Sequence, residues 1–139
     1  MSSESRHMVI PSRLSEVPRV LETVLDTVEQ AGYDQETVFA VRLALEEAVT
    51  NAIRHGNCGD ESKSVTIDSE VSGETIRIAI CDEGCGFQPD DLPDPTAPEN
   101  LTRPHGRGVM LMRAYMTDVS FNEAGNCVTM VRTREPRGE

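Results

Sequence analysis

The strand that ends at Asp82 constrains the fold of this chain more than any other segment. Polar residues alternate there with Ile76, Ile78 and Ile80, so the three isoleucines share one face of a strand. A strand with one apolar face needs a second layer to cover it. Asp82 has the same parity as the isoleucines, and a buried carboxylate without partners is costly. The position therefore indicates a ligand site or a fixed hydrogen bond.

The residues around Asp82 form the segment Cys81-Asp82-Glu83-Gly84-Cys85-Gly86-Phe87. Its two spaced glycines let the backbone approach a flat or anionic ligand. The same Asp-x-Gly-x-Gly spacing is also typical of an ordinary turn after a strand. Taken alone, the segment leaves both interpretations open.

Two amphipathic helices are predicted in the first half of the chain. Apolar residues recur at helical spacing between Leu14 and Gly32, after Ser12 or Ser15 as the predicted N-cap. A second helix is predicted from Asp34, a good N-cap, to about His55, and it ends at Gly56.

The strands are predicted before and after these helices. Residues 6–10 form a short edge strand, and two hairpins cover about 65–81 and 119–132, the second preceded by a helix over 109–115. A proline-rich acidic loop of residues 88–105, long enough to be a functional lid, separates the hairpins. This order predicts one α+β domain over residues 1–139, with its core at about 8–133. The expected architecture is a two-layer α/β sandwich, in which helices pack on one face of a mixed, mostly antiparallel sheet.

Charge and composition narrow the function. A net charge of −11 and only 4% aromatic residues argue against a nucleic-acid-binding surface. No apolar run approaches the roughly 18 residues of a membrane span, and no signal peptide is predicted at the N-terminus, so a cytoplasmic location without membrane contact is expected. The four cysteines lack a Cys-x-x-Cys pair and are interpreted as reduced thiols, in preference to a zinc site with His55.

The second predicted helix carries a polar stripe opposite its apolar face. Glu47 and Asn51 are four residues apart and are therefore neighbours on the helix surface, with Arg54 and His55 close by. Such a stripe is often a solvated face. Asparagine is nevertheless a poor residue for a helix interior, and its amide oxygen beside a carboxylate is a suitable Mg²⁺ ligand.

Three segments in order then resemble the N, G1 and G2 boxes of the GHKL (Bergerat-fold) ATPase superfamily, shared by gyrase, MutL and histidine kinases. They are the stretches at 46–56 (EEAVTNAIRHG), 82–87 (DEGCGF) and 105–112 (HGRGVMLM). The Glu-Glu-Ala-Val-Thr-Asn-Ala form of the first box is most similar to the anti-sigma-factor serine kinases of the RsbW type. The resemblance covers about residues 14–132.

The resemblance implies a Bergerat-type ATP site. Glu47 would be the general base, Asn51 would hold Mg²⁺, and Asp82 would accept a hydrogen bond from the adenine amine. The remaining implied nucleotide-binding residues, in the two glycine boxes, are Gly84, Gly86, Gly106, Arg107 and Gly108. Thr129 on the last strand is a further candidate for the adenine pocket, and an ordinary β-branched strand residue is the alternative interpretation.

The resemblance also implies the activity. The chain would be an ATP-dependent protein serine kinase and anti-sigma factor in a partner-switching system, and it would phosphorylate a STAS-type anti-sigma-factor antagonist and bind a sigma factor. The family suggests a homodimer. Two alternatives remain open: a non-catalytic module that senses ATP, and the detached ATPase domain of a histidine kinase.

Overall fold

The computed structural model describes residues 3–57, 60–84, 112–122 and 126–134. Five strands and two long helices make up most of this part of the chain. They are β1 (Glu4–Pro11), α1 (Val17–Gln30), α2 (Gln35–Asn51), β2 (Ser64–Val71), β3 (Thr75–Asp82), β4 (Asp118–Phe121) and β5 (Cys127–Thr133). A 3₁₀ turn, Leu14–Glu16, precedes α1, and a π-helix, Ala52–Gly56, continues α2. Residues 112–115 are also helical.

The strands form one sheet in the order β1-β2-β3-β5-β4, and every described pair is antiparallel. Both predicted hairpins and the edge position of β1 are confirmed. One face of the sheet, here called the inner face, is covered by the helices and carries buried residues such as Ile67, Ile78 and Met130. The opposite, outer face carries mostly polar or partly exposed side chains. The predicted two-layer α/β sandwich is therefore confirmed.

The helices bury the faces that their periodicity predicts. The valines and leucines of α1 are buried, and α2 buries Val38, Val41, Leu45 and Val49 together with a stripe of alanines. Asp34 caps α2 as expected, because its side chain accepts a hydrogen bond from the Thr37 amide at 2.8 Å.

One local prediction is wrong, and the end of the second helix differs in detail from the simple helix expected. No side-chain hydrogen bond caps α1: the Ser12 hydroxyl instead donates to the carbonyl oxygen of Lys63 at 2.8 Å, ahead of β2. The second helix does reach Gly56, but it leaves α-helical geometry after Asn51. The last turn is a π-helix, in which the amide of Asn57 donates to the Ala52 carbonyl, five residues back.

The interpretation of all cysteines as reduced thiols is also wrong for two of them. Cys81 on β3 and Cys127 on β5 lie directly opposite each other and form a disulfide, with 4.0 Å between their Cα atoms. Their neighbours Asp82 and Asn126 are joined by a backbone hydrogen bond, so the cysteines occupy a site between ladder bonds, where antiparallel strands approach most closely. Sequence spacing could not reveal this pair, because 46 residues separate its members.

Candidate functional site

Asp82 stands at the end of β3 on the inner face of the sheet, as its parity predicts. Its register partner on β2 is the buried Val65. The Asp82 amide donates to the carbonyl oxygen of Asn126 at 2.8 Å, and one carboxylate oxygen accepts from the Gly84 amide at 3.0 Å. The second carboxylate oxygen faces Gly56, at the end of the π-helix. The carboxylate thus lies where the end of β3 meets the end of the second helix.

The surroundings of Asp82 disfavour its charged form. Burial raises the pKa of this carboxyl group above its usual value, while the hydrogen bond from Gly84 and the positive charge of Lys63 oppose the shift less strongly. A partly buried carboxylate with a raised pKa is suited to accept a hydrogen bond from a ligand.

Two glycines make room for this carboxylate. A Cβ atom added at Gly56 would lie 2.1 Å from Asp82 Oδ2, and one added at Gly84 would lie 1.4 Å from the carbonyl oxygen of Gly56. Both distances are far below van der Waals contact, so any larger residue would push β3 and the π-helix apart. Gly84 was predicted to admit a flat ligand. The structure adds that it lets two backbone segments touch.

Glu47 and Asn51 lie one turn apart on α2, and both side chains are partly exposed. Asn51 is the last residue of α2, and the π-helix that follows leads directly to Gly56 and Asp82. The helix therefore brings the predicted metal ligand and the predicted base toward the same end of β3 as Asp82.

Asn51 and Glu47 fit a magnesium ion by their chemistry. An amide oxygen and a carboxylate, one turn apart and open to solvent on one side, supply the hard oxygen ligands that Mg²⁺ takes together with water and phosphate oxygens. Within the described ranges, no group of three or more histidine, cysteine or acidic side chains is placed to hold a metal ion by itself. An ion held by these two side chains would take its other ligands from water or phosphate oxygens.

Thr129 is not brought to the site. It pairs with Ala79 on β3, and the adjacent pair, Ile80 and Val128, lies on the inner face. Because successive side chains of a strand point to opposite faces, the Thr129 side chain lies on the outer face. Gly86, Gly106, Arg107 and Gly108 lie outside the described residues, as does the whole of the predicted lid, residues 88–105.

Two residues of the site were missed in the sequence. Gly56 was interpreted only as the end of a helix and of a motif, and Asn57 had no predicted role. Asn57 is 1% exposed, and its side-chain oxygen accepts from the amide of Glu83 at 2.8 Å. Its partners Glu83 and Ser12 lie 26 and 45 residues away in the sequence, so no local pattern could have identified it.

The histidine kinase-like ATPase domain family matches residues 10–132. Among curated proteins, the chain is 26% identical over 130 residues to the serine-protein kinase RsbW of Oceanobacillus iheyensis, covering 89% of this chain and 82% of that protein. It is 34% identical over 118 residues to the anti-sigma F factor of Bacillus subtilis, covering 79% and 77%.

A solved structure shares the fold. It contains the RsbU and RsbW domains of a Mycobacterium tuberculosis protein and aligns with a TM-score of 0.66 at 15% identity. The alignment covers 96% of this chain but only 33% of that longer chain. No described helix has the length and apolar character needed to cross a membrane.

Proposed function

Because the chain belongs to the histidine kinase-like ATPase domain family, we propose that it is an ATP-dependent serine-protein kinase that also acts as an anti-sigma factor. The relatives named serine-protein kinase RsbW and anti-sigma F factor support both halves of this proposal. The observation that carries the nucleotide site is the Asp82 carboxylate, held on the inner face between Gly56 and Gly84.

The role proposed for each residue follows from its position. Asp82 would accept a hydrogen bond from the exocyclic amine of adenine through the oxygen that Gly84 does not occupy. Asn51 would hold Mg²⁺, which supplies charge neutralisation at the phosphates when bound. In the glycine boxes, Gly86, Gly106, Arg107 and Gly108 are proposed to complete the nucleotide site.

Glu47 is proposed as the general base. The serine hydroxyl oxygen of a protein substrate would form a bond to the γ-phosphorus while the bond from that phosphorus to the β,γ-bridging oxygen breaks and ADP leaves. Glu47 would orient the hydroxyl group and accept its proton. Phosphoryl transfer passes through a loose transition state, so a correctly placed carboxylate suffices as the base.

The proposed protein partners are a sigma factor and a STAS-type antagonist that carries the acceptor serine. Both act in transcription control, so the proposed location is the cytoplasm. We also propose a homodimer, which β1 supports: it is an edge strand of eight residues with Val9 54% exposed on the outer face. Such an edge can pair with a second strand. A molecular mass of one chain in light scattering would refute the dimer.

The nucleotide site is tested by calorimetry with and without Mg²⁺. Asp82→Asn exchanges one carboxylate oxygen for an NH₂ group, which donates a hydrogen bond and cannot accept one. We expect ATP affinity to fall by about 100-fold or more, because a buried site built for one hydrogen bond strongly disfavours a mismatched partner. Unchanged affinity in this variant would refute the site.

The reaction is tested by incubation with Mg-ATP and the candidate antagonist. The unmodified chain should produce phosphoserine, and Glu47→Gln should retain ATP but lose turnover. Glu46→Gln is the matched control, because Glu46 lies beside Arg42 in a groove between α1 and α2. Absence of phosphoserine with ATP bound would favour a module that only senses ATP, and phosphohistidine would indicate a histidine-kinase ATPase domain.

A further inference from the structure

The buried side chain of Asn57 connects three separate parts of the chain beside Asp82. Its Oδ1 atom accepts from the Glu83 amide at 2.8 Å. Its Nδ2 atom donates to the hydroxyl oxygen of Ser12 at 2.8 Å and to the carbonyl oxygen of Ser64 at 3.0 Å. The side chain thus joins the end of the π-helix to the segment after β1, to the start of β2 and to the turn after β3.

These partners fix the orientation of the Asn57 amide. The Ser64 carbonyl can only accept and the Glu83 amide can only donate, so exchange of Oδ1 and Nδ2 would place like groups against each other. The backbone is held as well, because the Asn57 amide donates to the Ala52 carbonyl in the π-helix. A buried polar group with every atom paired is rigid, and loss of one partner is costly.

Glu83 is therefore fixed at two points. Its amide is held by Asn57, and its carboxylate accepts a hydrogen bond from the Ser64 amide. Glu83 stands between Asp82 and Gly84, whose amide is bonded to the Asp82 carboxylate. The direction of that carboxylate is thus set by the protein before any ligand arrives, which reduces the cost of ordering it on binding.

We infer that Asn57 is a positioning residue for base recognition: it holds the Asp82–Gly84 turn so that the carboxylate of Asp82 selects adenine. This inference rests on the proposed role of Asp82 toward the adenine amine. Asn57 itself is buried and acts through its hydrogen bond to the Glu83 amide.

The preference of the protein for ATP over ITP distinguishes a positioning role of Asn57 from a general loss of structure in the variant. ITP carries a carbonyl oxygen in place of the exocyclic amine of ATP, so a fixed carboxylate favours ATP. In Asn57→Ala, we expect the ratio of ATP affinity to ITP affinity, measured by calorimetry, to fall about tenfold, which corresponds to most of one hydrogen bond to a charged group.

Ser12→Ala is the matched control. It removes a partner of the same buried amide and a bond to Lys63, but it leaves the hydrogen bond between Asn57 and Glu83 intact. We expect it to lower the unfolding temperature without changing the ATP to ITP ratio. An equal fall of the ratio in both variants would overturn the positioning role, because it would reflect destabilisation alone.

Asp82→Asn separates this inference from the proposed function. If the unmodified protein does not prefer ATP to ITP, or if Asp82→Asn keeps the preference, the adenine role of Asp82 fails. If Asp82→Asn abolishes the preference but Asn57→Ala keeps it, only the role of Asn57 fails. In the double variant, Asn57→Ala should cause no further change in the ratio, because it acts through Asp82.

A measurement on the unmodified protein covers the case in which Asn57→Ala does not fold. The Glu83 amide is bonded to a buried oxygen, so its hydrogen exchange should be slow without nucleotide. Exchange at the rate of an unstructured peptide would overturn the inference.

Discussion

The inner and outer faces of the sheet are built differently where β3 ends. On the inner face, the Asp82 carboxylate lies against two glycines and accepts a hydrogen bond from the Gly84 amide. On the outer face, one residue earlier, Cys81 is joined to Cys127 by a covalent bond. On the inner face, backbone lies close to a polar side chain and any added Cβ atom would clash, whereas on the outer face a covalent bond joins the two strands.

The two faces at the end of β3 should therefore have different functions: the inner face serves nucleotide binding, and the outer face serves stability. Substitutions that fill space on the inner face should abolish nucleotide binding, since they displace the carboxylate. Substitutions on the outer face should lower the free energy of unfolding and leave nucleotide affinity largely intact, because the backbone bond between Asp82 and Asn126 remains.

Gly84→Ala should have the largest effect. Its new Cβ atom would overlap the Gly56 carbonyl oxygen, so β3 and the π-helix must separate. We expect loss of ATP binding in calorimetry and a decrease of about 3 kcal/mol or more in the free energy of unfolding, measured by urea denaturation.

Gly73→Ala is the matched control for this variant. Gly73 lies in the turn between β2 and β3, and a Cβ atom there would meet nothing within 4 Å. Its effect on unfolding should stay within about 1 kcal/mol, with ATP affinity unchanged. Full ATP affinity in Gly84→Ala would mean that the two backbone segments need not touch.

Loss of the disulfide should rank next, and it should affect stability alone. Cys127→Ser, or reduction of the unmodified protein, is expected to decrease the free energy of unfolding by about 2–4 kcal/mol, because the crosslink restricts the unfolded chain. ATP affinity should change less than about threefold, since no hydrogen bond to the Asp82 carboxylate is removed.

Thiol titration checks the crosslink directly. The unfolded, unreduced protein should expose at most two of its four cysteines. Four reactive thiols before reduction would show that the bond does not form, and a large loss of ATP affinity in Cys127→Ser would show that the outer face also shapes the site.

ATP affinity should also depend on pH, because Asp82 on the inner face titrates. This effect should be smaller than those of Gly84→Ala and of disulfide loss. Binding through the adenine amine requires ionised Asp82, whose pKa is raised by burial. Affinity should therefore fall as the pH is lowered through that raised pKa, by at most about tenfold per pH unit for one proton. Calorimetry over a pH series measures it.

Asp82 also affects the pH dependence of folding. Its pKa is higher in the folded than in the unfolded chain, so the folded state binds this proton more readily, and the Asp82 contribution to stability falls as the pH rises from 3.8 through the raised value. Asp82→Asn should remove both dependences. Asp68→Asn, on the outer face of β2, should remove neither.

The sequence predicted what depends on local pattern. Alternation placed Asp82 on the covered face, and helical spacing placed Glu47 and Asn51 together on α2. The resemblance of three short segments identified the family, which the match over residues 10–132 confirms. These features need only the residues within one element or one motif.

Contacts between distant residues could not be predicted. Asn57 finds Glu83 and Ser12 only after the chain has folded, and the disulfide depends on the register of β5 against β3. The π-helical turn, which brings Gly56 to Asp82, also has no pattern of its own. Thr129 differs from these cases, because its neighbours Val128 and Met130 are both apolar and parity alone could have placed it on the outer face.

The smallest effect is expected at Thr129. Thr129→Val changes one atom of a side chain that lies beside Ala79 and Ser120 on the outer face. We expect ATP affinity to stay within about twofold and unfolding within about 0.5 kcal/mol, as for most surface substitutions. The reciprocal change Val128→Thr buries a hydroxyl group on the inner face and should cost about 1–3 kcal/mol. Weaker ATP binding in Thr129→Val, at unchanged stability, would place Thr129 against the nucleotide and contradict the assignment of the two faces.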